Sequence, residues 1–221
     1  EILSGAQSAL YGAGAVGGVI NIITRGAQEP WSLNLNARLA DHREQRYGGV
    51  LGLKQGRVGN MLDVQYTSVD NYTVCMDYAD ECDFRQVYGG RTFGAKDKSQ
   101  YSPTDNLTLT ARAGYYFKEL TTDVDVYERF RDFTGGLRAE WDITAKDRLE
   151  ISASYDQYDK SDLLRLWECD VMDYRNLQMS VRTMYNRTLR QKDILTVGGD
   201  YMRDYLHTYQ FSDGKVRVQY T

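Results

Sequence analysis

Leu107, Leu109, Ala111, Ala113, Tyr115 and Phe117 alternate with Asn106, Thr108, Thr110, Arg112, Gly114 and Tyr116. This period of two most limits what the chain can become, because only an extended strand puts every second side chain on one face. The same alternation runs through Leu137, Ala139, Trp141 and Ile143, through Leu149, Ile151, Ala153 and Tyr155, and through Leu177, Met179, Val181, Thr183 and Tyr185. Each run has one apolar and one polar face. A sandwich alternates in the same way, so length decides: the runs last about 9–12 residues, what a tilted strand needs to cross a bilayer. Tyr115, Tyr116, Trp141 and Tyr155 stand at strand ends, where interfacial aromatic girdles belong.

The alternation predicts ten strands at about 31–40, 45–54, 60–69, 86–100, 106–117, 134–143, 148–157, 174–187, 193–203 and 214–221. Gly89-Gly90 and Lys96-Asp97-Lys98 blur the fourth. Short polar turns over 54–60, 102–106, 144–148 and 188–193 recur at intervals of about 43–47 residues. Between them lie long polar connections near 70–84, 118–132, 158–173 and 204–213. Short turns on one side and long loops on the other are the asymmetry of an outer-membrane barrel, whereas a propeller blade of this period needs four strands per repeat. The expected fold class is therefore all-β: a transmembrane antiparallel β-barrel. The chain starts in mid-pattern at Glu1 and stops within a strand at Thr221, so a fragment of a larger barrel is expected.

Composition supports this. Eighteen tyrosines against two prolines favour strands, and a 42% hydrophobic share favours a folded chain. A net charge of −4 lacks the basic footprint of a nucleic-acid partner. No run of about 18 apolar residues provides a transmembrane helix.

The opening segment, Tyr11-Gly-Ala-Gly-Ala-Val-Gly-Gly-Val-Ile-Asn-Ile22, contains Gly12-x-Gly14-x-x-Gly17, the spacing of a dinucleotide-binding loop. That loop must follow a strand and open a helix. Here Ser4–Gly12 reads as a short helical piece, and the β-branched run from Val19 to Thr24 reads as a strand, so the order is reversed. The segment instead resembles the end of the plug domain of TonB-dependent outer-membrane receptors. The match rests on Glu1, Leu3, Gly5, Ser8, Ala9, Tyr11, Gly12, Gly17, Gly18, Val19, Ile20, Asn21, Ile22, Thr24 and Arg25. Glycines at 12, 14, 17 and 18 suit a compact plug through close backbone approach. One departure is Ser4, where the family carries an Arg that locks plug to barrel through acidic wall residues.

The resemblance implies a plug end over residues 1–29 and the first part of the barrel over 30–221. It implies a non-enzymatic receptor in the Gram-negative outer membrane, surrounded by its lipid, importing a scarce ligand with energy from the inner-membrane TonB complex. The motif is nearer to receptors for ferric siderophores, haem and cobalamin than to glycan importers, and a passive porin would need no plug. Cys75, Cys82 and Cys169 lack zinc spacing, and no cofactor is required beyond a candidate calcium ion. Asp70, Asp77, Asp80, Glu81 and Asp83 are its candidate oxygen ligands, weighed against a solvated acidic loop. Cys75 and Cys82, close together in a loop expected outside the cell, are a candidate disulfide. Tyr72, Tyr78, Tyr127 and Trp167 are candidate ligand-stacking residues in loops. Arg38, Arg112, Arg138, Glu140 and Arg182 are expected to point into a wet lumen.

Overall fold

A computed structural model of the chain describes residues 2–4, 18–20, 26–78, 81–123, 126–164, 169–189, 193–208 and 216–220. Strands β1 (Ile2–Ser4) and β2 (Gly18–Ile20) pair antiparallel by themselves. The helical piece and glycine turn expected between them lie outside the described residues. The main sheet contains β3 (Trp31–Ala40), β4 (Glu44–Gln55), β5 (Val58–Val69), β8 (Gly90–Thr104), β9 (Leu107–Asp123), β10 (Val126–Asp142), β11 (Asp147–Leu164), β12 (Cys169–Thr188), β13 (Ile194–Thr208) and β14 (Val216–Tyr220). A separate hairpin, β6 (Tyr72–Tyr78) and β7 (Glu81–Val87), is inserted between β5 and β8. The ten main strands form one open antiparallel meander in chain order.

The register separates two faces, since residues directly opposite one another in an antiparallel pair share a face. One row runs Trp31, Leu53, Asn60, Ser99, Ala111, Leu137, Ala153, Val181, Tyr201. Leu109, Ala139 and Ile151 form the next row of this apolar face. Its side chains do not converge on a core. Leu33, Leu35, Leu39, Leu137, Val181, Val197 and Tyr201 are 48–72% exposed, a continuous apolar surface that water would not tolerate but hydrocarbon would. The opposite face carries the row Gln100, Thr110, Arg138, Ser152, Arg182, Asp200 and is polar. This is the wall of a membrane barrel.

Aromatic residues bound the apolar band at both ends. Trp31, Tyr101, Trp141 and Tyr185 lie towards the short turns, and Tyr47, Tyr66, Phe93, Tyr115, Phe133 and Tyr155 mark the other edge. The 6–8 residues between them span about 20–26 Å along a strand, matching the apolar band of outer-membrane barrels. One polar island interrupts the band. Asp97 accepts hydrogen bonds from Asn60 Nδ2 (2.6 Å) and Ser99 Oγ (3.0 Å), a local satisfaction that a carboxylate at this depth requires.

Two differences from the sequence reading stand out. The main strands before β14 reach 20 residues, and β9–β12 take in the described residues of 118–132 and 158–173, which hydropathy assigned to loops. Beyond the second girdle both faces meet water, so the apolar alternation stops while the hydrogen-bond ladder continues. The 70–84 loop, likewise, is largely the β6–β7 hairpin. At Gly89 and Gly90 the chain returns to the sheet so tightly that a Cβ would lie 2.1 Å from the Val69 carbonyl and 2.2 Å from that of Glu119, which is why glycines break the pattern there.

Because Leu109 faces hydrocarbon near mid-band, Leu109→Arg is expected to cost about 2–4 kcal/mol of folding free energy in vesicles. The polar-face Thr110→Arg should cost less. Equal costs in reversible denaturant titrations would contradict the assignment of faces.

Candidate functional site

Above the second girdle, on the polar face, one register row reads Lys118, Phe130, Lys160, Tyr174 across β9, β10, β11 and β12. Cation and ring alternate along it. Lys118 Nζ stands 5.8 Å and Lys160 Nζ 5.9 Å from the centroid of Phe130, so one ring serves two ammonium groups. Tyr158, one row nearer the membrane, lies 6.2 Å from Phe130 and 6.0 Å from Tyr174.

A β-bulge sets the electrostatics. Lys160 pairs with Tyr174 but Ser161 pairs with Met172, which leaves Asp173 as the extra residue. Its carboxylate meets Lys160 Nζ at 3.1 Å, and Glu128 meets it at 3.1 Å from the other side. These groups stand beyond the girdle, outside the spanning band. Burial works against the Lys160 charge, but the bonds to Asp173 and Glu128 outweigh it and hold the ammonium above its ordinary pKa. Burial, and after it Tyr174, push the Tyr158 phenol up to about 12. The wall thus keeps Lys160 charged and Tyr158 protonated at neutral pH. Lys118 and the rings beside it can meet a flat anionic ligand by charge and ring contact.

Nearer the short turns the same face carries paired charges. Arg138 meets Glu140 (3.2 Å) and Glu150 (2.7 Å), and Arg148 also reaches Glu140 (2.5 Å). Arg182 lies 3.7 Å from Asp200. Arg38 and Arg112 share this polar face, as the alternation expects.

The residues singled out in the sequence are scattered. Tyr72 stacks on His42 with centroids 3.7 Å apart and planes 12° apart. This buttresses a β3–β4 turn in which His42 (φ 58°) and Arg43 (φ 53°) both adopt the left-handed conformation. Tyr127 lies in strand β10 and not in a loop, on the face opposite the Phe130 row. Trp167 and the side chain of Tyr78 lie outside the described residues. Of the candidate calcium ligands, Asp70 is paired with Arg43 (3.2 Å) and Asp83 with Arg85 (3.0 Å). The side chains of Asp77, Asp80 and Glu81 lie outside the described residues. Among the described residues no group of three His, Cys, Asp or Glu is placed to hold a metal. Cys75 and Cys82 are joined in a disulfide across the β6–β7 hairpin, with Cα atoms 5.5 Å apart. Of the plug-motif residues, Gly18 lies in β2; Gly5, Tyr11, Gly12, Gly17 and Asn21 lie outside the described residues.

Sequence reasoning missed the Lys118–Phe130–Lys160–Tyr174 row because it treated both stretches as loops. The signal was available: Lys118 and Leu120, Glu128 and Phe130, and Tyr158 and Lys160 keep the parity of the strands below them.

No protein-family model matches the chain. A curated relative, the ferrienterobactin receptor of Escherichia coli (strain K12), is 27% identical over 209 residues, 91% of this chain and 24% of the relative. The iron-regulated outer membrane virulence protein of Vibrio cholerae is 32% identical over 114 residues, 50% of this chain and 17% of the relative. The chain therefore spans a quarter or less of the curated relatives it matches. The crystal structure of the siderophore receptor PiuA from Acinetobacter baumannii shares the fold, with a TM-score of 0.70 at 12% identity over 93% of this chain and 35% of that one. A two-faced antiparallel wall between aromatic girdles, with these relatives, matches a segment of an outer-membrane barrel. These similarities are consistent with a TonB-dependent receptor.

A short closed loop such as that of Cys75 and Cys82 stabilises a hairpin by about 2–3 kcal/mol in the chain-entropy view. Replacing both cysteines by Ser should speed proteolysis within 72–87 about tenfold or more while the girdle-to-girdle strands stay resistant. Unchanged cleavage would show that the hairpin does not depend on the bridge.

Proposed function

We propose that the full-length protein resides in the outer membrane and imports a ferric siderophore or a similar metal chelate, with TonB supplying the energy. In this reading residues 1–29 end the plug and 30–221 begin the barrel wall. The ligand meets the wall above the second girdle before the plug is displaced. The Lys118–Phe130–Lys160–Tyr174 row carries the reading. It presents the Lys118 ammonium and the rings of Phe130 and Tyr174 at one level of the polar surface, with Lys160 held between Glu128 and Asp173, and an anionic aromatic iron chelate would use that charge and ring contact. The names of the relatives, an enterobactin-iron receptor and a siderophore receptor among them, support the same ligand class. Binding and release suffice for this task, so no bond of the ligand need be made or broken. Arg138 and Arg148 already neutralise the wall carboxylates Glu140 and Glu150, the kind of acids that the plug arginine replaced here by Ser4 would otherwise meet.

Uptake of a radio-iron chelate by cells carrying the full-length protein should collapse in a TonB-deficient strain and on loss of the proton gradient. Uptake at an unchanged rate would support a passive pore. Lys118→Gln should weaken chelate binding to the purified receptor about five- to tenfold, the loss of roughly one charge-assisted contact. Unchanged affinity would remove the row from the ligand path.

A further inference from the structure

We propose that residues 26–30 form a clasp on the polar face of the wall, the fixed point at which a pull on the plug end stops before it reaches β3. The segment is not part of any strand, and three contacts set its path. The Lys54 N–H of β4 donates to the Pro30 carbonyl at 3.1 Å. Ala27 lies over Gly52 of β4 and Gly59 of β5, its Cβ 3.8 Å and 3.9 Å from the points where side chains at those glycines would begin. Gly26 lies so close to Gln100 of β8 that a Cβ there would collide with Gln100 Oε1. From β3 the segment therefore crosses β4 and β5 and ends against a side chain of β8.

The register puts this path on the polar side. Gly59 shares a row with Gln100, Thr110 and Arg138, and Gly52 shares one with Met61, Lys98 and Arg112. Long side chains stand elsewhere in both rows, and the two glycines lower the wall where Ala27 crosses it. A Cβ at position 59 would meet Ala27 at ordinary contact distance, whereas a longer side chain would take its place.

Direction decides what the segment does. Without the lateral contacts, a pull on the chain before Gly26 would load the β3–β4 ladder at its first rung, Trp31 opposite Leu53, and open it rung by rung. The crossing passes the same pull to β4, β5 and β8, each paired on both sides. The proposal deepens the transport reading, in which the plug end is pulled, by naming the residues where the pull ends.

The test draws full-length receptor out of a supported bilayer by its N-terminus with a cantilever, in the absence of TonB and of any chelate. All variants carry Cys169→Ser and keep the Cys75–Cys82 bridge. Ala27→Cys with Gly59→Cys supplies the ruler, since Cβ positions 3.9 Å apart suit a disulfide, which needs about 3.5–4.5 Å. The trace of the bridged receptor marks the extension at which residue 27 is reached. The parent should show a force peak at that same extension, before any wall strand gives way. Gly59→Ala should keep the peak; Gly59→Leu should lose it, with extraction running on into β3. Failure of the bridge to form in a folded barrel would overturn the seat. A parent trace without the peak would overturn the clasp, as would a Gly59→Leu receptor that migrates as a folded barrel and retains it. The cantilever supplies the force, so uptake that proves independent of TonB would sink the transport reading and leave this result standing.

Discussion

Every peptide N–H and C=O that enters hydrocarbon must be hydrogen-bonded within the protein, and the rest of this structure follows from that constraint. Between its open edges at β3 and β14 the main sheet answers it with one antiparallel meander, in which neighbouring strands are hydrogen-bonded in register apart from local shifts such as that at Lys160 and Ser161. With the backbone satisfied, the side chains are free to differ between faces, and period-two sequence sorts them. Even Asp97, a carboxylate within the apolar band, is supplied with its own donors, Asn60 and Ser99.

The ladder extends beyond the second girdle, and the candidate functional residues lie on the extension. Between the girdles the two faces differ sharply, apolar against polar. Beyond the second girdle both become charged, yet their chemistry is not the same. The polar face sets two lysines and aromatic rings towards the interior, with Lys160 fixed by Glu128 and the bulged Asp173. The outer face buries Glu119 and Asp159 beneath arginines. A single strand such as β11 serves both, since Lys160 and Asp159 are neighbours in sequence and point to opposite sides.

The spanning part of the fold was legible in the sequence because hydrocarbon enforces alternation. The parity that places Leu109, Ala139, Ile151 and Val181 on one face is written in their spacing. The extension was not legible from hydropathy, since Glu119, Arg129 and Arg131 are as polar as the residues of a loop. What makes them strand residues is cross-strand pairing, which appears only when Glu119 is set opposite both Arg91 and Arg129. Tyr127 was misplaced for the same reason. The acidic run near 70–83 reads differently once Arg43 and Arg85, distant or unremarked in sequence, are seen to engage Asp70 and Asp83. The resemblance to the receptor family rested on the glycine-spaced opening segment, because glycines at fixed spacing report backbone packing that periodicity does not encode.

The central claim is that the apolar face meets lipid and the polar face meets water. Spin labels on single cysteines at 109, 151 and 181, and at 112, 138 and 182, in full-length receptor reconstituted into vesicles, test it most directly. A Cys169→Ser background with the Cys75–Cys82 bridge intact keeps the labelling specific. The first set should collide with oxygen and be shielded from a water-soluble nickel chelate, and the second set should show less oxygen contact. Nickel access equal at both sets, or the reverse pattern, would contradict the account.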